Sequence, residues 1–409
     1  MSLRARFWLL SALRWLPTGL IVPSATLLPL DRGLTIAEVG SLVAFQAVAV
    51  VLLELPTGGL ADAWGRRPVL VVSIVVACAG YVMTAVAQDF AGFAVASTLT
   101  GVFRALDSGP LNAWYVSAVH DEAHGPGTSD ARRRSTVASG LSGAGSVLAG
   151  SIALGALAAG GLIAWAPTGR SDALVVPYVA AAVMSVVQLG ACLALVTERP
   201  RPAGTGLGGS VARVPGAVRE GIGLVVGSRV LVALVAVEVL WGFGLIAFET
   251  LMPVRLAELV GGRDQAGALM GPVVAGGWAM ASIGAAACLP LVHRWGGVPV
   301  SVVLKLVQGA TVVAMGLVAG PVGLVVAYLA TYATHVAAGS VYESLLHDEV
   351  DNRHRSTVLS VVSMAMHPAA AAGGVVLGAI ATAGGTGVAI VVGGIVLAAG
   401  APLFLIRRR

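Results

Sequence analysis

A few ionisable residues stand inside stretches of this chain that are otherwise apolar. Arg14 interrupts the run from Phe7 to Leu30. Arg104 and Asp107 lie one helical turn apart in the run 91–118. Glu238 and Glu249 lie in 229–252, and His335 and Glu343 in 321–345. A charge placed in hydrocarbon costs several kcal/mol, so each such residue is a candidate for proton or solute handling. A carboxylate in a low-dielectric cavity holds a proton more readily than one in water, which suits a proton carrier. Glu238 is the first candidate for that role and Asp107 the second. Glu238 and Glu249 are about three turns apart, so they share one helix face. Arg104 and Asp107 are spaced to pair with each other. The alternative is a set of static ion pairs that fix helix packing, and for Glu343, near a span end, that reading is preferred. Lys305, in the run 298–318, is expected to snorkel to the surface. Trp114, Tyr115, Trp241, Phe248 and Tyr332 are candidates to line a cavity for an amphipathic solute, with helix packing as the equal alternative.

These residues must be positioned by membrane helices. Of the 409 residues 57% are hydrophobic and only 11% charged, with a mean hydropathy of +0.90, which excludes an ordinary soluble domain. Apolar runs long enough to cross a bilayer recur along the whole chain. Twelve are expected: 7–30, 37–57, 68–87, 91–118, 136–163, 172–196, 229–252, 267–291, 298–318, 321–345, 357–382 and 386–406. The first is read as a span rather than a signal peptide, because it is too long and carries Arg14 and Pro17. The basic residues sort by side. Arg4, Arg6, Arg66, Arg67, Arg132 to Arg134, Arg199, Arg201, Arg213, Arg219, Arg229, Arg294, Arg353, Arg355 and Arg407 to Arg409 fall on one side. Arg32, Arg170, Arg255 and Arg263 fall on the other. The positive-inside rule then places both termini in the cytoplasm. The net charge of +5 is spread over short loops, so no nucleic-acid partner is expected. Cys78, Cys192 and Cys288 are isolated in apolar runs and read as packing thiols. No metal and no cofactor is expected.

The chain repeats itself. Tyr115, Ser117, His120, Asp121 and Glu122 recur in the same spacing as Tyr342, Ser344, His347, Asp348 and Glu349. R-S-T-V-x-S follows each copy, at Arg134 to Ser139 and at Arg355 to Ser360. Two copies of one unit are implied: an N-terminal bundle over 1–197, a linker over 198–228 and a C-terminal bundle over 229–409. Val211, Val214, Val218, Ile222 and Val225 give the linker an amphipathic helix lying along the membrane face. The repeated His-Asp-Glu is read as a solvated helix end, since adjacent residues do not converge easily on one ion.

Gly58, Asp62, Gly65, Arg66 and Arg67 spell G-x-x-x-D-x-x-G-R-R between the second and third spans. This resembles the signature loop of the major facilitator superfamily. Gly58 and Gly65 permit a sharp turn, Asp62 can meet a helix N-terminus, and the arginines can pair with carboxylates. A worn copy follows in the second half, where Trp295, Gly296 and Pro299 match Trp64, Gly65 and Pro68. The resemblance implies an all-α membrane protein with twelve transmembrane helices in two pseudo-symmetric six-helix halves. It implies that spans one, four, seven and ten surround a central cavity, and those spans carry Arg14, Arg104, Asp107, Glu238, Glu249 and His335. It also implies that the loop at 58–67 acts as a cytoplasmic gate. Glu54 to Thr57 and Asp107 to Gly109 are similar to bacterial exporters of the family. The expected protein is a monomer in a bacterial cytoplasmic membrane, working by alternating access. It is expected to exchange protons for a small amphipathic compound. Uptake of a polar nutrient, a polytopic enzyme and a non-transporting scaffold are the alternatives; no H-E-x-x-H, paired cysteine ligands or serine nucleophile motif supports the enzyme.

Overall fold

The computed structural model describes residues 1–122, 130–166, 172–198, 207–351 and 354–406. Within these ranges the side chains of 54–59, 61–63, 122, 130, 131, 207–215, 217 and 356 are undescribed, that of the candidate gate residue Asp62 among them. Arg170, Arg199, Arg201, Arg353 and Arg407 to Arg409 lie outside the described residues. Every element is helical, and among the described residues there is no strand.

The first half holds α1 (Leu3–Ile21), α2 (Leu27–Asp31), α3 (Ile36–Trp64), α4 (Arg66–Val86), α5 (Phe90–Asp107), α6 (Pro110–Glu122), α7 (Asp130–Trp165) and α8 (Val176–Leu195). The linker helix is α9 (Leu207–Gly227). The second half holds α10 (Arg229–Glu249), α11 (Leu251–Val260), α12 (Arg263–Trp295), α13 (Gly297–Leu317), α14 (Pro321–Glu349), α15 (Arg355–Gly384) and α16 (Thr386–Ala399), with a short 3-10 turn at Ala401–Leu405. Among the described residues ten helical stretches are long and apolar enough to cross a membrane. The first and fourth expected spans are interrupted, and they are consistent with the remaining two of twelve. Large apolar side chains stay exposed along the outer faces, among them Val75, Val82, Val183, Val186, Val303 and Val326, as lipid contact requires.

Local chemistry sets the helix ends. Thr35 caps α3 in a reciprocal box with Glu38, with Glu38 N–H to Thr35 Oγ1 at 3.2 Å and Thr35 N–H to Glu38 Oε2 at 2.8 Å. Asp89 accepts from the Gly92 N–H at 2.9 Å to start α5. Gly65 joins α3 to α4 at φ +93, a conformation that side chains rarely adopt, and Gly296 repeats it at φ +83 between α12 and α13. The worn loop has therefore kept its backbone after losing its charges. Gly58, expected to turn the chain, lies inside α3 instead; Gly65 alone makes the bend.

The helix contacts show a pseudo-twofold arrangement. Within the first half α1 packs on α7 and α8, α3 on α5, and α4 on α5 and α8. The second half repeats each pairing: α10 on α15 and α16, α12 on α14, and α13 on α14 and α16. The main contacts between halves, α3 with α15 and α7 with α12, are images of each other. Both lie toward the end away from the termini. There Gly40 meets the Gly374 backbone, Gly378 meets Ala37, and Gly160 meets Gly271. One apolar core at that far end draws on both halves, through Leu28, Ala156, Ile163, Met252, Met270 and Tyr328. At the end bearing the termini the cores are separate: Phe7, Leu70 and Tyr115 in one half, Leu231, Tyr342 and Phe404 in the other. The halves are thus closed at the far end and part toward the terminal end. There α9 packs across both α3 and α15, with Gly221 on Thr357 and Val361 and Val225 buried.

Candidate functional site

The fourth crossing breaks in mid-course. α5 ends at Asp107, Gly109 takes φ +111 with its N–H on the Asp107 carbonyl at 2.8 Å, and α6 restarts at Pro110, which has no N–H to lose. Irregular backbone at membrane depth is tolerated where it lines a cavity. Here it does: a cavity of about 810 Å³ is lined by Ser108, Gly109 and Asn112 beside Trp15, Gln46 and Tyr81. Arg14, Arg104 and Asp107 line the same space.

Asp107 does not take the partner that its spacing suggests. Its Oδ2 accepts from Nε of Arg14 on α1, rather than from Arg104 one turn back. Both side chains of the pair are largely buried, Arg14 at 12% and Asp107 at 6% exposure. The Arg14 guanidinium also lies 3.7 Å from the Trp15 ring centre and 5.1 Å from that of Phe103, which adds cation–π attraction. Its Nη1 is buried without a hydrogen-bond partner. Arg104 is exposed to the cavity.

The loop arginines bind neighbours within the first half. Arg66 donates through Nη1 to the Ala113 carbonyl at 2.7 Å and to the Ser117 hydroxyl. Arg67 donates through Nη2 to the Leu193 carbonyl at 2.7 Å. The backbone N–H groups of both donate to the Glu198 carboxylate, each at 3.1 Å. Glu198 thus caps α4, where the helix dipole favours an anion. Sequence reasoning left Glu198 in the linker, and only its place one step beyond the sixth span hinted otherwise.

Trp114 and Tyr115 do not line the cavity. Both are buried in the terminal-end core of the first half. Tyr115 stacks on Phe7 at 4.3 Å and donates to the Thr136 carbonyl at 3.1 Å. Trp114 donates to the Thr197 carbonyl at 3.0 Å. The break before α6 directs this face toward its neighbours.

The sequence profile of the major facilitator superfamily matches residues 7–347. The chain belongs to that family. This facilitator is a transporter and not an enzyme. The crystal structure of the nucleoside transporter NupG is similar to it with a TM-score of 0.78 at 12% identity over 100% of both chains. A point variant of NupG gives 0.79 at 11% identity over 99% of each. A POT family transporter in complex with 5-aminolevulinic acid gives 0.70 at 13% identity, over 98% of this chain and 95% of that one. At such identities the likeness speaks for the fold. No curated protein sequence matches the chain.

In the facilitator's second half the remaining candidates meet in a partly buried cluster. His335 on α14 stacks on Trp241 at 5.7 Å and meets Phe248 edge-on at 5.4 Å. Tyr332 packs on Phe248 at 6.2 Å and donates its hydroxyl to Glu249. Gln308 Nε2 lies 3.3 Å from His335 Nδ1. Phe248 and Tyr332 are interior groups rather than cavity lining. Glu238 is half-buried on α10, one turn from Trp241, and exposed Glu343 lies toward the terminal end. Lys305 overturns its expectation most clearly. It does not snorkel, but is 4% exposed with Nζ 6.0 Å from the Trp241 ring centre.

Proposed function

We propose that this facilitator exports a small amphipathic compound in exchange for protons by alternating access. The observation that carries the reading is the placement of its intramembrane charges. Arg14, Arg104 and Asp107 gather at one cavity in the first half, and Glu238, Glu249 and His335 lie on the matching seventh and tenth crossings. A chain that only needed to span lipid would not keep them there. The moving bodies are residues 1–197 and 229–409, joined by 198–228. They rock about a membrane-buried site, with the loop around Gly58, Asp62, Gly65, Arg66 and Arg67 as the gate at the terminal end. The arginine-rich terminal end faces the cytoplasm of a bacterium, so the present arrangement opens inward. The transporter acts as a monomer. Glu238 is the leading proton carrier and Asp107 the second.

The test is flux of candidate compounds in proteoliposomes with and without a pH gradient. Glu238→Gln is expected to abolish gradient-driven transport in a protein that still folds. Full gradient dependence in that variant overturns the assignment.

A second reading, uptake of a small polar solute, is favoured by the cavity lining, in which Ser11, Thr18, Gln46, Thr100 and Asn112 take part. The similarity to a nucleoside transporter supports the same alternative. The direction of net flux under an imposed gradient separates the two.

A further inference from the structure

Lys305 is the only lysine among the 25 basic residues, and it is buried in a helix bundle that sits in lipid. An isolated ammonium there is costly, so the surrounding groups must answer it. α13 packs on α14, α16, the 3-10 turn at Ala401–Leu405 and α12. From α14 the titratable groups are Tyr328, Tyr332, His335 and Tyr342, with Glu343, His347, Asp348 and Glu349 further toward the terminal end. From α12 they are the Cys288 thiol and, at its terminal end, His293 and Arg294. Residues 386–405 contain none. Glu238 stands one turn before Trp241 on α10, and the Trp241 ring centre lies 6.0 Å from Lys305 Nζ; the other elements packed on α10 bring Arg219 and Glu220 of α9, Arg255 and Glu258 of α11, and Arg355 and His367 of α15. Lys305 and Glu238 lie at matching depths, each about two turns from the terminal end of its helix.

The two side chains make neither a hydrogen bond nor a direct ion pair among the described residues, unlike Arg14 and Asp107, which touch. That contrast matters. A contact pair recovers most of its desolvation cost and resists change, whereas separated charges in a low-dielectric interior leave the carboxylate responsive to one added proton. The surroundings are also imperfectly satisfied, since Gln308 Oε1 is buried without a partner. The cavity beside Arg14 is lined by first-half residues only, so this cluster is not part of it.

We infer that Lys305 and Glu238 form a proton-binding dyad inside the second half, separate from the solute cavity of the first. It rests on the proton-coupled reading above and names the counter-charge and the location. The step is simple. A hydronium ion gives its proton to the Glu238 carboxylate, an O–H bond forms, water departs, and Lys305 stays an ammonium throughout. The dyad passes from net zero to net +1. Exposed Glu343 lies between it and the terminal-end water.

Trp241 makes the dyad visible, because its ring lies beside both Lys305 and His335. The experiment is a pH titration of tryptophan fluorescence in lipid nanodiscs. The wild-type protein is expected to titrate, and Trp241→Phe to lose that signal. Glu238→Gln is expected to abolish the transition and His335→Gln to keep it. Lys305→Met, which removes the positive neighbour, is expected to move the midpoint upward by at least about one pH unit; Lys305→Arg keeps it in place. A transition that survives Glu238→Gln, or an unmoved midpoint in Lys305→Met, overturns the dyad. If Lys305→Met is too unstable to purify, thermal stability replaces the titration. The doubly neutral Lys305→Met/Glu238→Gln protein is expected to recover stability lost by the single variant, and a double variant no better than the single overturns the pair. Proton flux in liposomes, read by a pH dye, tests the coupling reading by itself: flux without the Trp241 transition removes only the dyad, and the transition without flux leaves the dyad standing while removing proton coupling.

Discussion

Breaking the Arg14–Asp107 pair should cost much more than removing both of its members. The two side chains are 12% and 6% exposed and in direct contact, so water screens them little. Removing one partner of a buried ion pair typically costs about 3–5 kcal/mol, because the other is left charged and unanswered. Asp107→Asn is therefore expected to lose about 3–5 kcal/mol. Arg14→Gln falls in the same range and adds roughly 1 kcal/mol for the lost contacts with Trp15 and Phe103. The double variant Arg14→Gln/Asp107→Asn leaves no stranded charge and should lose only about 1–2 kcal/mol. The assay is unfolding from mixed micelles by a denaturing detergent, followed by circular dichroism. The coupling energy comes from the four proteins of the cycle. Raising the salt should leave it nearly unchanged, since buried pairs are poorly screened. Additive losses in the double variant, or a coupling that collapses in high salt, would refute the claim that this is a buried contact pair.

Three further outcomes follow from the same packing. Glu198→Gln weakens two charge-assisted bonds at the start of α4 and should cost about 1 kcal/mol, read as a lowered thermal midpoint. Gly160→Leu places side-chain atoms where the Ala268 carbonyl and Gly271 stand, 2.6 and 2.9 Å from a Cβ. It should part the halves at the far end, read as faster thiol labelling of a cysteine introduced at Gly267; unchanged labelling would count against this contact as a closure point. Tyr332→Phe strips Glu249 of its hydroxyl donor and should lower stability by about 1–3 kcal/mol, and a neutral result would mean that another group answers that carboxylate.

Much of the fold was legible because lipid leaves few choices. Run length and the repeated Y-x-S-x-x-H-D-E together point to the crossings and to two matching halves. The helix ends followed from ordinary capping, as at Thr35 and Asp89. The site was legible only to the level of the helix. Arg14, Asp107 and Glu238 could be picked out as charges in oil, but spacing along a helix says who can pair locally and not who does. Asp107 turned to α1 because α5 ends there, a break that Ser108–Gly109–Pro110 encodes only when read as backbone chemistry. Lys305 was misplaced for the opposite reason. Its long stem suits snorkelling, and only the packing of α13 against α14 and α16 turns it inward. The aromatic residues were the least decidable, since Trp114 and Trp241 look alike in sequence and one caps a packed core while the other lies beside the buried lysine.

The duplication explains why the halves share a frame without sharing chemistry. Each pairing of helices in one half has its image in the other, and even the worn loop keeps the Gly65 conformation at Gly296. The images part company where charge enters. α5 and α6 are interrupted beside a cavity, whereas α14 runs unbroken from Pro321 to Glu349 through the tyrosine and histidine cluster. An interruption frees backbone groups for a solute, while a continuous helix keeps them bonded and leaves side chains to do the work. One half therefore offers a cavity surface, and the other a more closely packed network of Lys305, Glu238, His335 and Glu249. The far-end seal between them draws on glycine contacts and apolar packing together with the cross-half ion pair of Arg263 and Asp31 at 3.7 Å. Helix contacts in lipid rest on close van der Waals fit rather than on a hydrophobic drive, so small shifts in either half suffice to loosen it. Under the proposed mechanism, a change of charge in the second half or of occupancy in the first would be transmitted through the same two contacts, α3 with α15 and α7 with α12.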